Sequence, residues 1–197
     1  MRWLDAWRQR HGPHAALFGG PPDAELISLD LETTGLDIAT CRVLSIAAVP
    51  VGGGRVHTSR ALVLKVKSAE AIGIDSMRHH RLRQVDLVDG LSIEAALAEL
   101  LAYIGARPLL GYCIDFDAGV LSRLCRAQFG FALPNPRLEL SHRYERWCRR
   151  RQPGIEPRLD FDSILAGLSI PPLGRHDAYA DAVAAGLAWL LLDQRGV

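Results

Sequence analysis

The chain has 197 residues, a length that suits one domain with at most a small appendage. About half of the residues (49%) are apolar, enough for a substantial core, and no run of eighteen apolar residues suggests a membrane span. A net charge of +1 excludes a grossly basic or acidic protein whose partners could be read from bulk charge alone.

The opening residues, MRWLDAWRQR, are charged and carry two tryptophans, without the apolar centre of a secretory signal. A soluble, cytoplasmic protein is therefore expected. Residues 1–18 read as a short helix with Trp3, Leu4 and Trp7 on one side, stopped by Gly19-Gly20-Pro21-Pro22. On this basis residues 1–22 form an N-terminal helical extension and 23–197 the main domain. The extension is expected to pack on its own domain.

Next, Leu26 to Glu32 and Val43 to Val51 read as strands, the second ending near Pro50 and a glycine turn. Residues 56–66 alternate apolar with polar and predict a third strand, so the three form an antiparallel meander. Ser92 to Ile104 has a serine start, an early glutamate and an apolar stripe, which predict a helix. A short buried strand over 108–112 and a helix from Ala118 to Phe129, stopped by Gly130, follow. Further helices are predicted at 141–151, at 160–168 and from Ala178 to Asp193. This order gives an α/β sandwich with a mixed central sheet.

The four cysteines, Cys41, Cys113, Cys125 and Cys148, show no metal-knuckle spacing and read as buried, reduced thiols. Two clusters of arginine stand out. One is Arg143, Arg146, Arg149, Arg150, Arg151 and Arg158; the other is Arg78, Arg81 and Arg83 around His79 and His80. Either can hold phosphates or be an ordinary solvated face.

Three segments carry candidate chemistry. In LDLETTGL, Asp30 and Glu32 lie two apart on a strand and leave the same face, while Ile27, Leu29 and Leu31 anchor the other. Paired carboxylates repel unless a cation neutralises them, and oxygen ligands suit magnesium or manganese. The D-x-E pair alone recurs by chance, and an exposed strand end with two acids is the plain alternative. In LLGYCIDFDAGV an apolar strand runs into Asp115-Phe116-Asp117 and then a helix. Either aspartate can serve as a simple helix cap there. In GRHDAYADAV, His176 and Asp181 are five apart, about 140° around a continuous helix. They converge only if His176 lies on the preceding loop, which Gly174 and Pro171-Pro172 permit.

Together these segments resemble the DEDD exonuclease superfamily, in its DnaQ-like branch with a histidine base. That branch includes the exonuclease domain of the DNA polymerase III epsilon subunit. The resemblance runs from about Glu25 to Leu192. Asp30 and Glu32 match the first motif, D-x-E-T-T-G-L; Asp117, after a phenylalanine, matches the second; His176 and Asp181 match the third, H-x-x-x-x-D. Tyr112-Cys113 stand where many members have His-Asn, a departure that touches substrate contacts more than metal binding. Position 177 is Asp, not the tyrosine of the sister branch.

The resemblance implies a ribonuclease H-like three-layer fold with a five-stranded mixed sheet. It implies two Mg²⁺ or Mn²⁺ ions held by Asp30, Glu32, Asp117 and Asp181, with His176 as general base. The activity implied is 3′→5′ removal of nucleoside 5′-monophosphates from nucleic-acid ends, DNA favoured over RNA and single strands as substrate. Thr33, Thr34, Gly35, Leu36 and Phe116 are the implied substrate contacts. An RNA exonuclease of the same superfamily and an inactive nucleic-acid-binding module are the alternatives. The residues after Asp181 finish the last helix, so polymerase association through a C-terminal tail is not expected.

Overall fold

The structure is a computed structural model that describes residues 5, 6, 9, 11–68, 84–174 and 176–196. Trp3, Leu4 and Trp7, and the cluster of Arg78, Arg81 and Arg83 with His79 and His80, lie outside the described residues.

Strand β1 (Leu26–Thr33) is the hub of the sheet. On one side it pairs antiparallel with β2 (Val43–Gly52), placing Asp30 opposite Ala47 and Glu32 opposite Ser45. On its other side it pairs parallel with β5 (Leu109–Gly111), and β5 pairs parallel with β6 (Arg137–Glu139). With β3 (Arg55–Val56) and β4 (Leu62–Lys65), the sheet runs β3-β2-β1-β5-β6, and β4 also pairs with β2. It is mixed, as expected.

The third strand is not continuous. It splits into β3 (Arg55–Val56) and β4 (Leu62–Lys65), separated by a 3-10 turn at Thr58–Arg60. Proline explains the break. Pro50 offers its carbonyl to the His57 N–H at 2.9 Å but has no N–H to return on that side. The β4 ladder on β2 accordingly reaches only to Ala48. The short strand β6, preceded by Pro134 and Pro136, is an addition that its length and the prolines before it hid.

Helices cover both faces. Helix α1 (Ile93–Ile104) and α2 (Ile114–Phe129) pack on the face bearing Ile27, Leu29 and Leu31, and all contribute to one buried cluster. On the opposite face lies α5 (Ala178–Gln194), backed by α3 (Leu140–Arg151) and α4 (Phe161–Gly167). Small residues let α5 lie close to the sheet: Ala178 and Ala182 pack with Ala47 and Val49. A Cβ at Gly186 would meet Val51 Cγ2 at 3.0 Å.

Three sequence expectations need correcting. Residues 1–18 do not make one helix: Asp5, Ala6 and Gln9 are helical, residues 11–14 turn, and Ala15–Phe18 is a 3-10 turn. Gly12-Pro13 disfavours a continuous helix there. Leu17 is nevertheless buried, and Phe18 meets the Phe131 ring edge-on at 5.3 Å, so this segment packs on the sheet domain. Helix α2 begins four residues earlier than expected, at Ile114, for a reason found at its cap below. The four cysteines are free, but Cys113 is exposed and Cys148 half-buried; only Cys41 and Cys125 are buried, and burial pushes the Cys125 thiol up to about 12.

Gly111 ends β5 where β1 and α2 press together: an added Cβ would stand 2.9 Å from the Leu29 carbonyl oxygen and 3.0 Å from Ile114 Cδ1. Backbone cannot yield there as a side-chain tip can. Gly111→Ala is expected to cost about 1–3 kcal/mol through forced overpacking. Urea unfolding checks this, and an unchanged midpoint would refute the close approach.

Candidate active site

Ser28, Asp30 and Glu32 occupy alternate positions of β1 and share the face under α5. Ser28 is fully buried, and its hydroxyl donates to the Ala182 carbonyl at 2.7 Å. That bond ties the strand to the helix one residue beyond Asp181. As a result, carboxylate oxygens of Asp30, Glu32 and Asp181 lie within 4.8 Å of one another. Asp30 and Glu32 are half-exposed, whereas Asp181 is buried.

The spacing of His176 and Asp181 is resolved as the sequence required. Asp177 caps α5 by accepting the Ala180 N–H at 3.0 Å, so Asp181 sits one turn into the helix. His176 precedes the cap in a left-handed conformation (φ 66°), with an exposed ring. Its backbone N–H donates to Asp181 Oδ2 at 3.1 Å, folding the loop back onto the helix's first turn.

The second segment arrives from the far side. After Gly111, Tyr112 stacks on Phe161 at 5.0 Å, Cys113 turns left-handed, and α2 starts. Asp117 is 4% exposed and faces inward. Because β5 has ended, the β1 edge beyond Leu29 is open, and the Leu31 backbone hydrogen-bonds the Asp117 carboxyl. Burial raises this carboxyl well above the ordinary carboxylate range, and the charges of Glu32 and Glu139 add to the effect. Asp117 is not part of the 4.8 Å group; it stands beside it and acts on Glu32.

This placement sets the two aspartates apart. Asp115 points to solvent with its side chain 81% exposed and pairs with Arg137 at 2.8 Å. Neither caps the helix, since Cys113 holds the cap position.

The turn after β1 is braced by its own threonines. Thr34 donates its N–H to the Arg42 carbonyl at 2.9 Å and accepts the Arg42 N–H on Oγ1 at 3.0 Å. The Thr33 hydroxyl donates to the Gly35 carbonyl at 2.8 Å. Leu36 projects from this turn 88% exposed, while Phe116 is half-buried against the core. One residue beside the site escaped the sequence reading: Glu139, whose carboxylate bonds the start of α2. The signal available was an acidic residue two positions before Ser141 at a helix onset.

Residues 27–187 match the RNase_T exonuclease family. Among curated relatives, the PolC-type DNA polymerase III of Thermotoga maritima is 26% identical over 166 residues, covering 81% of this chain and 11% of that protein. The DNA polymerase III subunit epsilon of Aquifex aeolicus is 26% identical over 160 residues, covering 81% of this chain and 76% of that one. Among solved structures, E. coli exonuclease I in complex with a dA16 oligonucleotide superposes with a TM-score of 0.75 at 18% identity, over 88% of this chain and 42% of that one. Exonuclease X in complex with 5′ overhanging duplex DNA gives 0.64 at 20% identity, over 87% and 92%. This chain therefore spans a small part of the PolC-type polymerase and less than half of exonuclease I. At such identities the structures speak to the fold, which is the ribonuclease H-like sandwich expected from the motifs. With the family covering the sheet, both helical layers and every acid of the site, the chain belongs to the RNase_T exonuclease family.

Proposed function

We propose that this protein is a metal-dependent 3′→5′ exonuclease that releases nucleoside 5′-monophosphates from single-stranded DNA 3′ ends. The observation that carries the reading is the convergence of Asp30, Glu32 and Asp181 within 4.8 Å, with buried Asp117 alongside.

Such crowding fits a hard divalent cation. The donors are all carboxylate oxygens, the set that Mg²⁺ and Mn²⁺ take. A carboxylate repelled by its neighbours and removed from water gains most from a cation. Asp30, Glu32, Asp117 and Asp181 would hold two such ions, which when bound supply electrostatic stabilisation to the phosphate and its leaving 3′ oxygen. His176 takes the proton of the attacking water, a role suited to an imidazole near neutral pH. The hydrogen bond from its backbone to Asp181 keeps its loop at the cluster. The turn Thr33-Thr34-Gly35-Leu36 receives the terminal nucleotide, and the exposed Leu36 side chain lies against a base. Phe116 contributes only the part of its ring left free by the core.

The names of the relatives favour DNA. Exonuclease I and exonuclease X are described with DNA bound, and two curated relatives are DNA polymerase III components. They also make a polymerase the protein partner to test. Among the described residues no helix is long and apolar enough to cross a membrane.

Single strands of DNA and RNA of equal sequence, labelled at either end, test the reading with Mg²⁺ or Mn²⁺. A 3′ label is expected to appear at once as mononucleotide, a 5′ label as a shrinking ladder, with DNA cut faster. Asp30→Ala should abolish cleavage. His176→Ala should lower kcat about 10²–10⁴-fold, with metal uptake in calorimetry unchanged. Early release of a 5′-terminal mononucleotide would overturn the polarity.

A second test reads Asp117 without substrate. In the metal-free folded chain Asp117 keeps its proton where the unfolded chain, with an ordinary value near about 3.9, has lost it. The folded state then binds more protons, so stability falls as pH rises from that value through the raised folded one. Asp117→Asn, neutral at every pH, should flatten this slope and raise Tm above wild type at pH 8 in chelator. Added Mg²⁺ should stabilise the wild type more than the variant. Parallel pH profiles for the two proteins would contradict the burial argument.

A further inference from the structure

Glu139 ends β6 where the starts of two helices meet. Its Oε1 accepts the Cys113 N–H at 3.1 Å, the Ser141 N–H at 3.0 Å and the Ser141 hydroxyl at 2.8 Å. Its Oε2 accepts the Ile114 N–H at 3.0 Å. One carboxylate thus serves α2 and α3 together. Helix starts leave N–H groups without intrahelical partners and carry partial positive charge, which a carboxylate satisfies on both counts.

The α2 start depends on this bond more than the α3 start does. Cys113 holds the α2 cap position without a side-chain bond to the helix. It also adopts φ 57° and ψ 34°, a left-handed conformation that costs a residue with a Cβ. Glu139 accepts the N–H of this residue and of the next, which fixes both sides of the strained unit. Asp117 follows within the first turn. Each residue advances a helix by about 100°, so a start displaced by one residue would carry Asp117 out of the gap beside β1.

We propose that Glu139 is a positioning residue of the active site: by holding Cys113 left-handed it fixes where α2 begins, and so aims Asp117 at Glu32. Its own charge presses on Asp117 as well, so the carboxylate adds to the demand for a cation there. This inference rests on the reading of Asp117 as a metal ligand.

The variant Glu139→Gln keeps the shape but must turn an NH₂ group towards one of the helix N–H groups. In chelator, hydrogen exchange at the Cys113 and Ile114 amides is expected to quicken. Mn²⁺ affinity by calorimetry and kcat should each fall about 10–100-fold, the range seen when a partner of a metal ligand is lost, with KM for the oligonucleotide unchanged. The double variant Glu139→Gln/Cys113→Gly should recover much of both, because glycine takes the left-handed turn without help. Should the single variant not fold, recovery of folding and of Mn²⁺ affinity in the double variant supports the same conclusion. Wild-type kcat and Mn²⁺ affinity in Glu139→Gln, with only Tm or exchange altered, would reduce Glu139 to a helix cap and overturn the proposal. Absence of Mn²⁺ uptake by the wild type itself would instead sink the metal-site reading, and the proposal with it, whatever the exchange data show.

Discussion

Repulsion among like charges is the constraint that the rest of this fold answers. Asp30, Glu32 and Asp181 are brought within 4.8 Å of one another, and a fourth carboxyl, Asp117, is buried beside them. Left to themselves such groups would separate or stay in water. They are held together from outside the cluster. β1 is locked between β2 and β5, so its alternation cannot slip without exchanging Asp30 and Glu32 for Leu29 and Leu31. Helix α5 is clamped to β1 by the Ser28 hydroxyl on Ala182, and its alanines let it approach closely enough for Asp181 to reach the strand's acids.

The two helices that deliver acids do so by different means. α5 is capped from within: Asp177 takes the Ala180 N–H, and the loop carrying His176 bonds back to Asp181. α2 cannot cap itself, because Cys113 offers no side-chain bond and turns left-handed. Its anchoring comes from β6 through Glu139, 25 residues beyond Ile114 in the chain. The site therefore depends on the outermost strand of the sheet, even though that strand supplies no carboxylate to the 4.8 Å group.

This difference explains what could be read from the sequence. Asp30 and Glu32 were legible because strand periodicity alone places them on one face. The His176 loop was legible because its five-residue spacing fails on a continuous helix and succeeds with Gly174 and two prolines before it. Asp117 is preferred to Asp115 only through the Phe-Asp spelling it shares with the family, since both stand near a helix start. The structure separates them through long-range terms: Arg137 draws Asp115 outward, and the open edge of β1 accepts Asp117. Strand β6 and Glu139 were hidden for the same reason. Three residues directly after Pro134-Asn135-Pro136 give no periodicity, and a carboxylate that caps a helix in another segment leaves no local mark. The split of β3 from β4 did have a local cause, Pro50, but its effect falls on the partner strand rather than on β2 itself.

Burial distinguishes the acids in a way that bears on the order of events when a cation arrives. Asp30 and Glu32 retain contact with water and can meet an ion before giving up their hydration. Asp117 is shielded, and burial together with its acidic neighbours favours its protonated form until positive charge is near. On the proposed function, a cation held at Asp117 would displace a proton, while one at the exposed pair need not. Such a site would admit a cation at its exposed edge first and engage Asp117 last. The wet edge lies next to the Thr33–Leu36 turn, so on the proposed function the side that would first admit a cation is also the side from which a nucleic-acid end would approach.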